Sequence, residues 1–440
     1  MNKRMAGSAI MTLAAMSTLA GAQQAQRPPI RQLGAITASS SEKLTNVPGI
    51  RALSNGSVLV NDMLARRVLM FDSQLSKFTV IADSTSATGN AYGGRTGSLI
   101  AYRGDSSIFA DPASVSMLIV DPTGKVARVV AIPRAEDAIS IGSPIGGAVF
   151  DGKGLIYRTS GFRFGGANAR QVITGGAARG LPPMPDMPDS TFLLRVDLAT
   201  RKLDTVGVIR IPKVKFDVKT DDRGAMSISS LVNPLPVVDE WAVTPDGAIA
   251  LVRGRDYHVD WINPDGSKVS APKIPFNWQR LTDEDKVAFL DSVKAARERQ
   301  GANAPVPLTG ALGGGGANVQ INIGSGPPGA QREGATRTAA SGPAQLNFIP
   351  ANELPDYKPP FFAGSVRADN DGNVWIRTIP TTAIAGGPVY DVINRKGELV
   401  DRVQIPAGRT IIGFGPNGTV YLLNRENATA TATLEKASVR

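Results

Sequence analysis

Cysteine is absent from this chain of 440 residues, and histidine occurs once, as His258. No disulfide, thiolate metal site or thiol nucleophile can form, so the fold relies on burial of apolar side chains. One histidine excludes zinc sites with three histidine ligands and argues against histidine-based catalysis. His258 lies in Arg255–Trp261 (RDYHVDW), a segment typical of a β-strand, which favours a structural role for it.

The common catalytic signatures are missing as well. The chain has no Gly-x-Ser-x-Gly elbow, Walker loop or dinucleotide-binding fingerprint in a suitable strand-to-helix setting. The run Gly313–Gly316 has no flanking strand and helix, so it predicts a linker rather than a phosphate-binding loop. These absences favour a binding protein over an enzyme.

Long apolar runs are confined to the N-terminus. Lys3 and Arg4 precede the apolar run Ala6–Leu19, and Ala20-Gly21-Ala22 has the small-x-small pattern of a signal-peptidase site. We therefore expect residues 1–22 to be a cleaved signal peptide and the mature chain to be periplasmic or secreted. The run is too short for a transmembrane helix and no comparable run follows, so we expect no transmembrane segment in the mature chain.

Basic residues outnumber acidic ones, and the formal charge is +10 at pH 7. The lysines and arginines are scattered rather than clustered, and export separates the protein from nucleic acid, so we expect no nucleic-acid partner. A positive surface of this kind favours anionic ligands or the cell envelope as partners.

A repeated block of four β-strands dominates the sequence after residue 30. Each block has an apolar stretch, a tight turn with Gly, Asn or Asp, and a strongly apolar second strand. The six turns are Ser54–Gly56, Gly104–Ser106, Asp151-Gly152, Pro245–Gly247, Asp371-Gly372 and Pro416–Gly418. In four blocks the fourth strand ends at an Ile-Pro pair, which is typical of an outer edge strand.

The repeat predicts an all-β fold, a six-bladed β-propeller over residues 23–440, in which each four-stranded unit packs against two neighbours. The sixth block ends with a strand near Thr429–Lys436 and lacks its outer strand. We expect Ile30–Ile36 to supply that strand, so that pairing of the two ends of the chain closes the ring. A β-sandwich would not account for a template repeated six times.

Two of the blocks resemble known propeller repeats. Asp239–Gly247 (DEWAVTPDG) and Asp369–Trp375 (DNDGNVW) are similar to blade starts of the NHL and TolB-like six-bladed propellers. The resemblance extends over most of the chain after the expected signal peptide and implies the six-bladed architecture. It implies no single activity, because that superfamily includes lactonases, lyases and proteins that only bind.

Two insertions do not follow the repeat. Residues 161–190 interrupt the third block and are rich in Gly, Ala and Pro, which predicts a mobile loop. Residues 276–360 separate the fourth and fifth blocks; in them, Thr282 and the acidic residues after it predict a helix over about residues 283–300. The Gly-rich stretch 301–344 predicts disorder. Both insertions are expected on the same face of the propeller, where long loops on a rigid scaffold commonly bind ligands.

Polar residues recur on that face, where the second strand of each block ends. They are Asp62, Asp111, Arg158, Arg253, Thr378 beside Arg377, and Asn424. Asp239 and Glu240 begin the first strand of the fourth block, and Arg409 begins that of the sixth. The side chains of all three are expected near the axis on the same face. Arginine offers a bidentate fork to carboxylate or phosphate, so the set predicts a site for an anionic or sugar-like ligand. Alternatively, these residues pair with one another between blades.

A divalent cation such as Ca²⁺ is a further candidate, with Asp62, Asp111, Asp239 or Glu240 as oxygen ligands. The gluconolactonase-like propellers use carboxylate and Asn ligands without histidine, so a metal-assisted lactonase, hydrolase or lyase is the alternative function. The first block begins Thr45–Gly49 (TNVPG) and lacks the early Glu of that family. We therefore favour an exported propeller that binds a small anionic or carbohydrate ligand, or an envelope protein, through its loop-bearing face.

Overall fold

A computed structural model describes residues 27–94, 96–143, 147–159, 188–220, 226–300, 321–323, 347–382, 384–425 and 431–439. These residues form many small sheets and few helices, the architecture of a β-propeller protein. No described helix is both long and apolar enough to cross a membrane. The expected signal peptide, residues 1–22, lies outside the described part of the chain.

Twenty-nine strands are described, and most of them pair with the strand before or after them in the chain. The strands are β1 (Ile30–Gln32), β2 (Ile36–Ser39), β3 (Ile50–Ala52), β4 (Val58–Asp62), β5 (Arg67–Phe71), β6 (Phe78–Asp83), β7 (Ser98–Ala101), β8 (Ser107–Asp111), β9 (Ser116–Val120), β10 (Val126–Ala131), β11 (Val149–Phe150), β12 (Leu155–Arg158), β13 (Ser190–Val196), β14 (Leu203–Arg210), β15 (Lys215–Thr220), β16 (Met226–Val232), β17 (Glu240–Val243), β18 (Ile249–Arg253), β19 (His258–Ile262), β20 (Lys268–Ser270), β21 (Ile321–Ile323), β22 (Asn347–Phe348), β23 (Phe361–Ala368), β24 (Val374–Thr378), β25 (Val389–Ile393), β26 (Leu399–Gln404), β27 (Arg409–Gly415), β28 (Thr419–Asn424) and β29 (Thr433–Ser438). The helices are α1 (Ala138–Ile141) and α2 (Asp283–Gln300), with 3-10 turns at Ser86–Thr88, Ala135–Asp137 and Ala351–Glu353.

Each repeated block forms one antiparallel sheet, with its strands in chain order. Sheets 1 to 6 contain β3–β6, β7–β10, β11–β14, β17–β20, β23–β26 and β27–β29. Glycine permits the tight first turns, since Gly56 and Gly247 have φ of +86° and +83°. The second strands are the most buried, and every residue of β4 and β8 is shielded from solvent.

Apolar clusters lie between neighbouring sheets. Each cluster draws side chains from two sheets only, and the sixth joins the last sheet to the first. Representative pairs are Leu59 and Phe109 for sheets 1 and 2, Ile119 and Tyr157 for 2 and 3, Ile156 and Ile249 for 3 and 4, Val259 and Val374 for 4 and 5, Val403 and Val420 for 5 and 6, and Leu434 and Val58 for 6 and 1. Burial on both faces of each sheet is the main source of stability.

The N-terminal segment differs from the single strand predicted over Ile30–Ile36. It forms two strands because the chain passes from one sheet to the next. Strand β1 adds to sheet 5 in parallel with β26, where Arg31 contacts Asp401 at 2.6 Å. Strand β2 pairs antiparallel with β29 in sheet 6.

A further sheet, absent from the sequence-based expectations, combines strands of the connection between sheets 3 and 4 with strands of the insertion between sheets 4 and 5. In it β16 pairs with β15, β21 and β22. Strand β21 lies within the stretch 301–344, the other residues of which lie outside the described part, so the disorder expected there stays a prediction. The mobile loop expected over 161–190 also stays a prediction, because the structure describes only residues 188–190 of it.

Helix α2 packs beside this further sheet. Its start is fixed by a reciprocal pair of hydrogen bonds, from Asp285 N to Thr282 Oγ1 (3.2 Å) and from Thr282 N to Asp285 Oδ2 (3.0 Å). Leu290 of the helix joins a small apolar cluster with Leu231 of β16 and Phe362 of β23. We call β15, β16, β21, β22, α2 and residues 349–354 the cap.

Candidate functional site

The second strands end at the polar positions that the repeat predicts, on the face where the second-to-third strand connections run. Strands β4, β8, β12, β18, β24 and β28 end at Asp62, Asp111, Arg158, Arg253, Thr378 and Asn424. We call this set of strand ends, with the adjacent starts of the first strands, the rim.

In sheets 1 and 2 the rim carboxylates accept hydrogen bonds from backbone N–H groups of the protein itself. Asp62 is fully buried, and its Oδ1 accepts hydrogen bonds from Thr45 N (2.9 Å) and Asn46 N (3.2 Å). Its other oxygen forms an ion pair with Arg67 at 3.0 Å. Asp111, also fully buried, accepts from Gly93 N at 3.0 Å. Both carboxylates therefore hold loops in place.

The rim of sheet 6 is likewise paired internally. Glu435 accepts two hydrogen bonds from Arg409, at 2.5 and 3.1 Å, and one from Asn424 at 2.8 Å. This bidentate geometry is the arrangement predicted for a ligand carboxylate, but here the acceptor belongs to the neighbouring strand β29.

In sheet 4, Arg253 lies between two carboxylates. Its guanidinium contacts Asp239 at 2.8 Å and Asp260 at 2.7 Å, and it donates to Val208 O at 2.9 Å. Burial disfavours the charged form, but the hydrogen bonds to Asp260 and Asp239 outweigh it and raise the pKa of Arg253. His258 contacts Asp260 from the other side, at 3.1 Å, so the histidine belongs to the same internal network.

The buried carboxyl of Glu240 has a different environment. It lies at the start of β17 with 6 % of its surface exposed, and its carboxyl accepts a hydrogen bond from the backbone N–H of Gly364. Burial raises the pKa of Glu240, and the positive charges of Arg158 and Arg367 oppose that shift.

A bulge in β23 brings Gly364 to Glu240. The pairing of β23 with β24 breaks between Phe361 and Val366, and Gly364 has a φ of +77°. Bulges of this kind are frequent at the ends of barrels and next to binding sites. Phe362, in the same bulge, packs into the apolar cluster of the cap.

Two predicted rim arginines have no such partner. Arg158 and Arg377 form no hydrogen bond or ion pair with any residue that the structure describes. Arg158 acts on Glu240 through its charge alone, and Arg377 is exposed beside Tyr390. We call Arg158, Arg367 and Arg377 the arginine arc.

Arg367, the third member of the arc, was not among the residues predicted from the sequence pattern. It lies on β23, donates from Nε to Ile411 O at 3.1 Å, and acts on both Glu240 and Tyr390 through its charge. Burial lowers its pKa. Its position on a first strand, near the expected axis, could have marked Arg367 as a candidate site residue. Its neighbours are known only from the packing of sheets 4, 5 and 6.

The carboxylates predicted as cation ligands are not brought together. Asp62 lies in sheet 1, Asp111 in sheet 2, and Asp239 and Glu240 in sheet 4, each with its own partners. Within the described ranges, no three Asp, Glu or His side chains are grouped closely enough to hold a metal ion. These residues therefore do not fit a shared divalent-cation site.

Comparisons with known proteins identify no family. No family model matches the sequence, and no curated protein matches it. Similar solved structures include a gluconolactonase from Xanthomonas campestris (11 % identity, 94 % of this chain and 98 % of that chain, TM-score 0.37), a PQQ-bound aldose sugar dehydrogenase from Streptomyces coelicolor (10 %, 93 % and 99 %, 0.37) and a virginiamycin B lyase from Staphylococcus aureus (12 %, 90 % and 87 %, 0.30). Similarity at this level carries no information on the activity of this chain.

Proposed function

We propose that this protein is an exported six-bladed β-propeller that binds a small anionic or acidic sugar-like ligand at the arginine arc. The observation that carries the proposal is that Arg158 and Arg377 form no hydrogen bond or ion pair with any of the residues that the structure describes. The other rim arginines, Arg253 and Arg409, are already neutralised by carboxylates of the protein.

The proposed ring consists of sheets 1 to 6, each acting as one blade. The apolar clusters support it, because they join the sheets in sequence and also join sheet 6 to sheet 1. The pairing of β2 with β29 supports closure by the N-terminal segment. Within this proposal the blade starts at Asp239–Gly247 and Asp369–Trp375 resemble those of the NHL and TolB-like propellers.

An anionic ligand fits the charge of the arc. Arg158 and Arg367 act on the carboxyl of Glu240, whose negative charge is itself disfavoured by burial, and Arg367 and Arg377 act on Tyr390. The other carboxyl that acts on Glu240, Asp239, is already paired with Arg253. The local field is therefore positive, and a low-polarity surrounding strengthens its attraction for an anion. Guanidinium groups without an internal acceptor are free to form bidentate hydrogen bonds with a carboxylate or phosphate.

The binding test uses charged and uncharged probes on matched variants. Calorimetric titration with glucose 6-phosphate, citrate and uncharged glucose should show binding of at least one anion and no binding of glucose. The double change Arg158→Ala, Arg377→Ala should weaken anion binding by at least about 100-fold, since each charged hydrogen-bonded contact contributes about 1.5–3 kcal/mol.

Arg128→Ala is the control, because Arg128 is exposed on the outer strand β10, away from the arc. Its removal changes the net charge by the same amount as one arc substitution and should leave binding unchanged. Equal anion binding by the double variant and the wild type would refute the proposed site.

Export is tested separately. Intact mass and N-terminal sequencing of the protein recovered from the periplasm or medium should give a chain that begins at residue 23. Recovery of the full chain in the cytoplasm alone would refute export and leave the binding proposal standing.

A further inference from the structure

Tryptophan and tyrosine are mostly buried in this protein, with one clear exception of each type. All four tryptophans and all seven tyrosines lie in the described part of the chain. Trp278 has 40 % of its surface exposed and Tyr357 has 49 %, whereas the other three tryptophans expose at most 7 %. Large aromatic side chains normally contribute to the core, so an exposed pair marks a candidate binding surface.

The two exposed rings lie on one short antiparallel ladder in the insertion between sheets 4 and 5. Arg280 pairs with Tyr357, and backbone hydrogen bonds of 2.8 and 2.9 Å flank the pair. Paired residues on two strands share a side, and so do residues two apart on one strand. Trp278, Arg280 and Tyr357 therefore share one side of the ladder, where all three are exposed. We call these three residues the platform.

The ring of Trp278 is held in place from below. Its edge packs on Phe276, with ring centres 5.2 Å apart and an angle of 76° between the rings. Phe276 packs in turn on the fully buried Tyr257 at 5.4 Å. An aromatic ring that is already fixed loses little conformational freedom when a ligand stacks on it.

The ladder continues towards Arg377 of the arginine arc. Pro360 accepts a backbone hydrogen bond of 2.8 Å from Ile379, which follows Arg377 by two residues. At about 3.3 Å per extended residue, Tyr357 and Arg377 are separated by on the order of 15 Å. A single sugar ring or small acid is too short to contact both, whereas a chain of several linked units can do so.

Lys358 lies between the platform and the arc. Its Nζ donates to Pro380 O at 2.7 Å, and it has no carboxylate partner among the described residues. An ammonium group has three N–H donors, so this contact leaves others for a ligand. Burial lowers the pKa of Lys358, and an anion beside the lysine would oppose that shift. Positive charge without an internal acid therefore continues from the arc towards the platform.

A sugar chain fits the platform better than a peptide does. The exposed rings have exposed hydrogen-bonding neighbours, with Asn277 and Arg280 on either side of Trp278 in the ladder and Asp356 next to Tyr357. A sugar ring has an apolar face that stacks on an aromatic ring and hydroxyl groups around its edge that reach such neighbours. Peptide recognition instead uses an open strand edge or pockets for alternate side chains.

We propose that the platform, Lys358 and the arginine arc together bind an acidic oligosaccharide, a chain of linked uronic acid units. This inference rests on the function proposed for the arc and extends it to a longer ligand. One carboxylate would pair with Arg158 or Arg377 and a second with Lys358, while sugar rings stack on Trp278 and Tyr357.

Tetragalacturonate is the probe, titrated by calorimetry beside three comparison ligands. Galacturonate tests chain length, maltotetraose tests charge, and tetraglutamate tests whether a peptide of similar charge serves as well. We expect tetragalacturonate to bind at least about tenfold more tightly than each of them, because contacts at both ends of a linked chain reinforce one another.

Trp278→Ala and Lys358→Gln should each weaken tetragalacturonate binding by about tenfold and leave galacturonate binding unchanged, because only the longer ligand reaches these residues. Glutamine keeps a donor for Pro380 O, and Trp278→Tyr keeps an aromatic face and should retain most of the affinity. Phe78→Ala is the control, since Phe78 is an aromatic residue of similar exposure, 38 %, on the outer strand of sheet 1.

Tryptophan fluorescence gives an independent measurement, because Trp278 is the exposed tryptophan. Tetragalacturonate should reduce quenching of the fluorescence by acrylamide, and galacturonate should not. The protection should disappear in Trp278→Tyr, which retains the three buried tryptophans.

The proposal fails if tetragalacturonate binds no more tightly than galacturonate, if tetraglutamate binds equally well, or if Trp278→Ala and Lys358→Gln leave the affinity unchanged. Tetragalacturonate binding that survives the double change Arg158→Ala, Arg377→Ala would also overturn it. Galacturonate binding that depends on the arc, without any gain from chain length, would leave the function proposed for the arc standing. If neither uronate binds, this proposal fails, and the titrations with citrate and glucose 6-phosphate decide the function of the arc.

Discussion

Arg158 and Arg253 occupy the same position in adjacent sheets, the last residue of the second strand, yet their surroundings differ. Arg253 contacts Asp239 and Asp260, whereas Arg158 has no ion pair among the described residues. The repeat supplies two arginines at equivalent points, and the neighbouring side chains decide their roles. The position of a residue in the repeat therefore shows which surface it lies on. Its hydrogen-bond and ion-pair partners show whether it is structural or available to a ligand.

The same contrast divides the whole rim. Asp62, Asp111, Asn424 and Arg409 are hydrogen-bonded within the protein, like Arg253. By contrast, Arg158 and Arg377 of the arginine arc form no hydrogen bond or ion pair with any described residue. Substitutions of the internally paired rim residues should consequently lower stability. Substitutions of Arg158 and Arg377 should instead lower ligand affinity.

The largest effect is expected at Asp62. Asp62→Ala removes a fully buried carboxylate that accepts from Thr45 and Asn46 and pairs with Arg67, so it should lower the free energy of unfolding by about 3–5 kcal/mol. Urea denaturation measures the change. Asp204→Ala, at an exposed carboxylate, should stay within about 0.5 kcal/mol. Equal effects of the two changes would remove the basis for calling the paired rim structural.

The next comparison sets Arg253→Ala against Arg158→Ala. The first leaves Asp239 and Asp260 without their cation and should cost about 2 kcal/mol of unfolding free energy. The second breaks no described contact and should change stability by less than about 0.5 kcal/mol. Denaturant unfolding of both variants at pH 7 tests this, and a large loss for Arg158→Ala would assign that residue to the structural group.

Glu240 provides a pH-dependent test. Because burial raises its pKa above the usual 4.5, the unfolded chain ionises this group at a lower pH than the folded chain does. Native stability therefore falls as the pH rises from about 4.5 through the folded pKa. Glu240→Gln removes this cost and keeps an acceptor for Gly364 N–H, so the variant should gain stability relative to the wild type across that range and then level off.

Thermal unfolding of both proteins between pH 4 and pH 8 measures the difference. Asp204→Asn, at the exposed carboxylate used above, is the control and should show no trend of this kind. A wild-type advantage that grows with pH would mean that Glu240 is stabilised in its charged form, and that burial does not outweigh the charges of Arg158 and Arg367.

The smallest effect is expected from chelation. Since the predicted cation ligands have separate protein partners, EDTA should shift the melting temperature by less than about 1 °C. Differential scanning fluorimetry with EDTA and with added Ca²⁺ tests this. A fall of several degrees that Ca²⁺ reverses would support the metal-assisted alternative.

The repeat made the sheets predictable, because each block carries its own local signals. The Gly-bearing turns fix the start of every second strand, and Thr282 with Asp285 fixes the start of α2. The segments outside the repeat lacked such signals. Strand β16 pairs with β21 and β22, and strands β1 and β2 pair with β26 and β29, so these pairings depend on partners far away in the sequence.

The sequence predicted which positions lie at the candidate site, but it did not predict the role of each residue there. Arg158, Arg377 and Glu240 followed from the ends of strands, but nothing local distinguishes Arg158 from Arg253. The distinction depends on Asp260, two strands away from Asp239, and on the bulge that brings Gly364 to Glu240. Contacts of this kind are set by packing between sheets, which the pattern of one strand does not encode.

The most direct test of the central claim is a crystal structure of the protein grown with the tightest-binding anion from the titrations. We expect electron density for the anion in contact with Arg158 or Arg377. Arg253 should still contact Asp239 and Asp260, and Arg409 should still contact Glu435. Density for the anion at Arg253 or Arg409, with Arg158 and Arg377 unoccupied, would contradict it.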